Sequence, residues 1–432
     1  MTRAPTLVAA ALLAAARLVA QQTTVAEFRA GGVPVIFKAV PGNEVIAVRL
    51  YLKGGSGNLT PAAAGVERVI GALAPHGTEK YTKDQLAAGA ARTGAELGAE
   101  TTRDYSVFTL RAVRDYWDES WDLFVQATLH PTFPESELAL VRAQIVNDLR
   151  QRGDNPDALL RWLGDSLFYA GHPYGVDPDG TVEAVSGLTR DDLVRRHRER
   201  MTKENLLLVV VGNVSRADLE AKVAAAFGPL PGKGGRAASL PPLPARPAAL
   251  ALVARDLPTN YVIGLFAAPA AADGDYAALR VAIDILSKRL FEEVRTKRNL
   301  SYAPFAAVNN ERLNSGFLYV TAVQPDTALK VMRHEVERLK SEPIPPHRVA
   351  ESVNGFLTGY FLRQEANMDQ AAALGSYEVL GGGWRRADTF IARVRAVGPA
   401  DVQRVARKYL HDLRFAVVGD STKIDRALFT SL

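Results

Sequence analysis

The chain has 432 residues, no cysteine, 47% apolar and 23% charged residues, and a formal charge of +5. That length suits about two to four domains with a core each, and the composition is that of a globular protein. The missing cysteines exclude disulfides, thiol nucleophiles and thiolate metal sites, and no run of Lys and Arg offers the footprint of a nucleic-acid binder.

Residues 1–20, MTRAPTLVAAALLAAARLVA, read as a signal peptide. Arg3 is a short positive region, residues 7–16 form an apolar run too short to span a bilayer comfortably, and Ala20 precedes a cleavage site. Arg17 and Leu18 fit that cleavage site poorly, which leaves a retained anchor as the alternative. Export without disulfides points to the periplasm or cell envelope of a bacterium.

From residue 21 to 227, strand-like alternation in VPVIFKAV, VIAVRLYL, YSVFTLRAV and LLLVVVG is interspersed with helical runs such as DYWDESWDLFVQATL and SELALVRAQIVNDLRQR. Residues 228–249, GPLPGKGGRAASLPPLPARPAA, have no apolar period and read as a linker, the expected hinge between two halves. Residues 250–432 return to strands in LALVAR, YVIGLFAA, GFLYVTAV and FAVVGD, with TALKVMRHEVERLKSE as a helix between them. The halves close alike: LTRDDLVRRHRERMTKENLLLVVVGNV and VGPADVQRVARKYLHDLRFAVVGDS match Asp192 with Asp401 and Gly212 with Gly419. Similarity at so long a period means duplicated domains. The expected fold is α+β: two homologous domains, each an antiparallel-rich mixed sheet with helices packed on one face.

Of the seven histidines (His76, His130, His172, His197, His334, His347 and His411), no two are spaced to share a helix turn as zinc ligands. His130 and His172 precede prolines and shape turns, and His334 belongs to a helix face. There is no G-x-S-x-G elbow and no phosphate-cradling Gly-Lys loop, and LGGGW at 380–384 ends a helix. No motif declares an independent enzyme.

Six segments in order carry a resemblance: GVERVIGALAPHGT (residues 65–78), SELALVRAQIVNDLRQRGDNP, HPYGVDPDGTVEAVSGLTRDDL, LVVVGNV, KRLFEEVRTKRNLSYAPFAA and FAVVGD. Together they resemble the pitrilysin/insulinase family of zinc peptidases, which includes the mitochondrial processing peptidase, over nearly the whole mature chain. Active members of that family carry H-x-x-E-H on the first of these segments. The two His share a helix face to hold zinc, the Glu is the base, and a distant Glu completes the ligand set. Aligned on its glycines, this chain has Arg68 at the first His, Gly71 at the Glu and Ala72 at the second His, with Asp148 at the distal Glu. An arginine stays protonated and repels a divalent cation, while Gly and Ala have no ligand atom. His76, on the following turn, is a poor substitute. The resemblance therefore implies no catalytic residue and no metal in this chain, with zinc on a partner. Arg68 and Asp148 are expected to pair across the vacated site, or else both to point to solvent.

Active members also use an Arg and a Tyr seven residues apart in the second half, and EEVRTKRNLSY supplies Arg295 and Tyr302. The resemblance gives the guanidinium a substrate carbonyl and the phenol the developing oxyanion. Asn299 is expected to end the helix, with Tyr302 at the start of a strand. Family members add an extended peptide to the sheet edge that GAELGAETTRDYSVFTL represents here. Ala99, Thr101 and Thr102 suit that role, while Glu100 and Arg103 read equally well as solvent-face residues. In bacterial members the metal motif and the Arg/Tyr pair are often split between two homologous chains. This chain resembles the second kind: a non-catalytic subunit of a heteromeric envelope zinc peptidase, with a metal-bearing homologue as partner and a peptide as substrate. Two other readings stand beside it, a structural core subunit of a larger assembly and a peptide-binding module working alone or as a homodimer.

Overall fold

The computed structural model describes residues 25–235 and 237–430, so the leader expected at 1–20 lies outside the described residues. The first half builds a six-stranded sheet from β1 (Val25–Ala30), β2 (Val33–Ala39), β3 (Val45–Lys53), β4 (Glu96–Thr101), β5 (Tyr105–Val113) and β6 (Leu206–Gly212). Its order is β1-β2-β6-β3-β5-β4, with β2 and β6 parallel and the other pairs antiparallel. β6, LLLVVVG, is buried at every position. A strand covered on both faces has no polar side, which is why it reads as an unbroken apolar run.

The second half uses β7 (Ala249–Ala254), β8 (Asn260–Ala267), β9 (Phe305–Val308), β10 (Ser315–Ala322) and β11 (Arg414–Gly419) in the order β7-β11-β8-β10-β9. Only β7 and β11 run parallel. Position for position this is the first sheet without β1. β11 takes the place of β6, as the matched Gly212 and Gly419 indicate, and the edge strand β9 takes the place of the edge strand β4.

Each half's own helices cover one face of its sheet. In the first half, Val69 and Leu73 of the helix Val66–Leu73, Phe124 of Trp117–Leu129 and Ile145 of Glu135–Gln151 form one cluster with Val48, Leu110 and Leu208. The structure adds something to the expected layering. The opposite face of each sheet is covered by one helix from the other half. Pro156–Phe168 lays Leu159 and Leu160 on Ile263, Leu265 and Ala416, and Asn367–Val379 lays Ala371 and Leu374 on Ala47, Tyr51 and Val209. A glycine lets each helix approach. A β-carbon at Gly164 would come 2.8 Å from Leu265, and one at Gly375 would collide with the Tyr51 ring.

Two more features fix the halves together. The turn between β4 and β5 sends Arg103 into a cage where it donates to Asp165 at 2.9 Å and to Glu311 of the second half at 3.0 Å, with its guanidinium 4.8 Å from the Tyr169 ring. Burial opposes the charge on Arg103, but Asp165 and Glu311 outweigh it and keep the group protonated. Only 14% of its side chain is exposed, so the solvent-face reading of Arg103 is corrected. The linker expected at 228–249 lies against the first half. Among its described residues, 228–248 form no helix or strand, yet they are pinned to the first half. Arg200 and Asn205 both donate to the Gly235 carbonyl, Gly234 N–H donates to Glu204 at 3.0 Å, and His172 Nε2 lies 3.0 Å from the Pro241 carbonyl.

Candidate functional site

The helix Val66–Leu73 turns Val66, Val69, Ile70 and Leu73 into the core, the three-and-four spacing of an amphipathic helix. It starts from Gly65 in the left-handed region (φ 85), packed on Gly180 (φ 88) so tightly that a β-carbon on either would lie 2.9 Å from the other's Cα. That contact lays the loop 177–180 on the helix's first turn. Glu67, 6% exposed, anchors the helix by accepting from Ser106 Oγ at 2.5 Å and from Arg196 Nε at 3.0 Å.

At the first ligand position, Arg68 Nη2 lies 3.3 Å from Asp148 Oδ2 and Nη1 lies 3.5 Å from Asp179 Oδ1. Asp179 is shared with Arg152 Nη2 at 3.1 Å, and Arg152 Nη1 reaches Asp177 at 2.5 Å. A guanidinium thus stands at the position the resemblance gives to the first metal ligand, paired with carboxylates from a helix and a loop. Gly71 and Ala72 line a cavity of about 360 Å³ with Leu97, Ala99, Phe108 and Phe124. These residues do not fit a zinc ion: a guanidinium holds one ligand position, and no side-chain donor stands at the second position or at that of the base. Among the described residues no three His, Cys, Asp or Glu converge on a common point. His76 pairs with Glu137 instead, at 2.7 Å.

Among the described residues β4 pairs only with β5, which leaves its other edge without a strand. Thr102 N–H donates to Tyr105 O at 2.8 Å and closes the hairpin. Antiparallel alternation from that pair turns the backbone groups of Glu100 and Gly98 toward β5, and those of Thr101, Ala99 and Leu97 toward the open edge. Thr102 is corrected: it lies beyond β4, and its hydroxyl also donates to Tyr105 O, at 2.9 Å. The Glu100 side chain is 62% exposed, a solvent-face residue.

In the second half the helix Tyr276–Leu290 runs directly into a π-helical turn, Phe291–Thr296, a wide turn that often marks functional positions. Asn299, with φ 49, takes the left-handed position that ends such a helix. The structure brings Arg295 and Tyr302 together, the guanidinium carbon lying 4.1 Å from the Tyr302 ring centre and 4.7 Å from that of Phe291. Tyr302 is 77% exposed. It sits in the loop before β9, which begins at Phe305, and not at a strand start as its spacing suggested. Nearby, Lys297 is held by Glu292 and Glu293 at 3.1 and 2.7 Å, and Arg298 by Glu293 at 2.5 Å. The Arg295 guanidinium makes no hydrogen bond or ion pair among the described residues. Sequence reasoning missed Phe291, whose one-turn spacing from Arg295 was the available signal. It also missed Asp179, for which there was none.

A duplicated α+β chain, with a peptidase-type helix whose metal positions hold Arg, Gly and Ala, defines a peptidase-like protein without a metal cradle of its own. The family model described as "Insulinase (Peptidase family M16)" matches residues 35–175, and the one described as "Peptidase M16 inactive domain" matches residues 187–356. The chain belongs to this pitrilysin/insulinase family of peptidases. It is 24% identical over 395 residues to a protein of Streptomyces coelicolor named as an uncharacterized zinc protease, covering 88% of this chain and 86% of that one. Its fold matches the crystal structure of a peptidase M16 inactive domain from Pseudomonas fluorescens with a TM-score of 0.86 at 20% identity, over 92% of this chain and 98% of that one. It also matches a chain of complex III2 from Candida albicans with a TM-score of 0.78 at 15% identity, over 94% and 98% of the two chains. The expected fold class and family resemblance hold.

Proposed function

We propose that this chain is the non-catalytic subunit of a heteromeric zinc peptidase of the bacterial envelope, lending Arg295 and Tyr302 to a homologous, metal-bearing partner. The observation that supports this reading is the contrast between its two halves. Arg68, at the position the resemblance gives to the first metal ligand, is paired with Asp148 and Asp179, while half-buried Arg295 stands against exposed Tyr302 with no ion pair among the described residues.

The partner's zinc, when bound there, supplies the polarised water. This chain's residues handle the peptide. Backbone groups of Leu97, Ala99 and Thr101 on the open edge of β4 extend the sheet by one strand. The Arg295 fork holds a peptide carbonyl in plane, and the Tyr302 hydroxyl donates to the oxygen that gains charge as the carbonyl carbon becomes tetrahedral.

Copurification from the native source, followed by metal analysis and a peptidase assay, tests the proposal. The expected result is a homologous chain carrying H-x-x-E-H, zinc in the complex, and cleavage by the complex alone. Zinc-dependent cleavage by the pure, partner-free chain would overturn it. The fold likeness to a chain of complex III2 favours one other reading, a structural core subunit of a larger assembly in which Arg295 and Tyr302 are relics. Isolation in a stable assembly without peptidase activity would support that alternative.

A further inference from the structure

Arg295 presents a physical puzzle. Arg295 is half-buried and has no carboxylate partner among the described residues. A long side chain without such a partner samples many rotamers, and a group that must meet a carbonyl within a few tenths of an ångström gains nothing from such freedom. Here the guanidinium is flanked by two rings, Tyr302 at 4.1 Å and Phe291 at 4.7 Å. Phe291 is 45% exposed, so burial alone does not account for a large apolar side chain at this point. It is the first residue of the π-helical turn, and Arg295 follows it by four residues within that turn. The carboxylates within reach, Glu292 and Glu293, are taken by Lys297 and Arg298. Those carboxylates thus pair with cations just beyond the turn, and among the described residues the Arg295 guanidinium has the two rings against it and no ion pair.

We infer that Phe291 is a positioning residue: together with Tyr302 it forms an aromatic clamp that holds the Arg295 guanidinium by its faces and leaves the in-plane N–H fork free for a peptide carbonyl. A ring attracts a guanidinium face through its quadrupole and offers no acceptor to the N–H groups. A carboxylate in the same place would have fixed the side chain equally well while consuming the fork. The clamp thus orients the donor without quenching it. The inference rests on the proposed role of Arg295 and Tyr302 and adds the residue that makes that role geometrically precise enough to matter.

The test compares Phe291→Leu, Phe291→Trp and Arg295→Ala in the complex reconstituted with the metal-bearing partner, assayed on an internally quenched peptide library. Arg295→Ala is expected to lower kcat by about 100-fold, because a carbonyl no longer held in plane is misplaced for attack. Phe291→Leu keeps an apolar side chain but loses the ring, and is expected to lower kcat by about 10-fold with KM nearly unchanged, a mispositioning effect. Phe291→Trp, which restores a ring face, is expected to recover activity to within about 2-fold. If Arg295→Ala is impaired while Phe291→Leu matches the parent chain, or if Phe291→Trp is as slow as Phe291→Leu, the clamp is wrong although the Arg/Tyr role survives. If Arg295→Ala has full activity, the Arg/Tyr role itself fails and the clamp with it. A partner-free arm reads the clamp directly. In the isolated chain the Arg295 side-chain protons should show a ring-current shift by NMR that Phe291→Leu diminishes and Phe291→Trp retains, and an unchanged spectrum in Phe291→Leu would refute the clamp.

Discussion

Gly71 on the helix Val66–Leu73 stands so close to Ala99 on β4 that a β-carbon added to the glycine would lie 2.8 Å from the alanine's β-carbon. Any side chain at position 71 must push the helix off the strand. Restoring the family motif in place, with Arg68→His, Gly71→Glu, Ala72→His and Asp148→Glu together, is therefore expected to fail as a zinc site. Overpacking of this kind costs about 1–3 kcal/mol. Metal analysis and a thermal melt check this: the fourfold variant should melt lower than the parent and hold no stoichiometric zinc, and adding Ala99→Gly should recover part of the lost stability. A fourfold variant that binds one zinc at full stability would show that the close approach is no obstacle.

Arg68 bridges Asp148 and Asp179 from a partly exposed position, with 27% of its side chain accessible against 49% and 57% for its partners. Arg68→Ala should cost only about 0.5–1 kcal/mol, because exposed pairs are screened by solvent. The cost should shrink as salt is raised toward 1 M. Urea titrations at low and high salt measure it, and a salt-independent loss would mean that the arginine acts by packing and not by charge.

The exchanged helices offer a larger effect. Gly375 packs against the Tyr51 ring with no room for a β-carbon. Gly375→Val should lower stability by about 2–3 kcal/mol through overpacking and loss of contact between Asn367–Val379 and the first sheet. A melting temperature within a degree of the parent's would show that the helix can lift without penalty.

Asp275, at the N-terminal end of the helix Tyr276–Leu290, accepts from Arg404 at 2.6 Å, Lys408 at 2.8 Å and Tyr409 at 3.0 Å. Burial alone would raise its pKa, but the hydrogen bonds from these three groups bring it down to about 2. Since an unfolded aspartate titrates near ~3.9, the folded value is depressed. The stabilisation is thus fully present above about pH 4 and is lost as pH falls through about 2. Asp275→Asn should cost on the order of 1 kcal/mol at pH 7 once screening of the exposed partners is allowed for. The gap between variant and parent should narrow in denaturant titrations taken from pH 5 down to pH 2.5, and a gap that stays constant or widens would contradict the assignment.

Some of this structure was readable in the chain because local physics reports it. β3 and β5 alternate, and β6 is unbroken because both its faces are covered. The expectation at positions 68, 71 and 72 rested on atoms and not on folding, since Arg, Gly and Ala offer no metal-ligand atom wherever they stand. The helix exchange was not, because an apolar stripe on Pro156–Phe168 or Asn367–Val379 says that a sheet will be met but not whose. Asp179 was hidden for a similar reason: it reaches Arg68 only through the contact of Gly65 with Gly180. The burial of Arg103 depends on Glu311 from the other half, which no reading of its own hairpin supplies. Phe291 lay within reach by its helical spacing, but the π turn and the unpaired state of Arg295 gave that spacing its meaning.

The most direct measurement is the zinc-dependent turnover of a peptide by this chain mixed with its metal-bearing homologue, set beside the same mixture made with Arg295→Ala and with Tyr302→Phe. The account predicts no cleavage by this chain alone, cleavage by the mixture, a loss of about two to three orders of magnitude with Tyr302→Phe, which removes the oxyanion donor, and a loss of about 100-fold with Arg295→Ala. Undiminished turnover with both variants, in complexes that assemble normally, would contradict it.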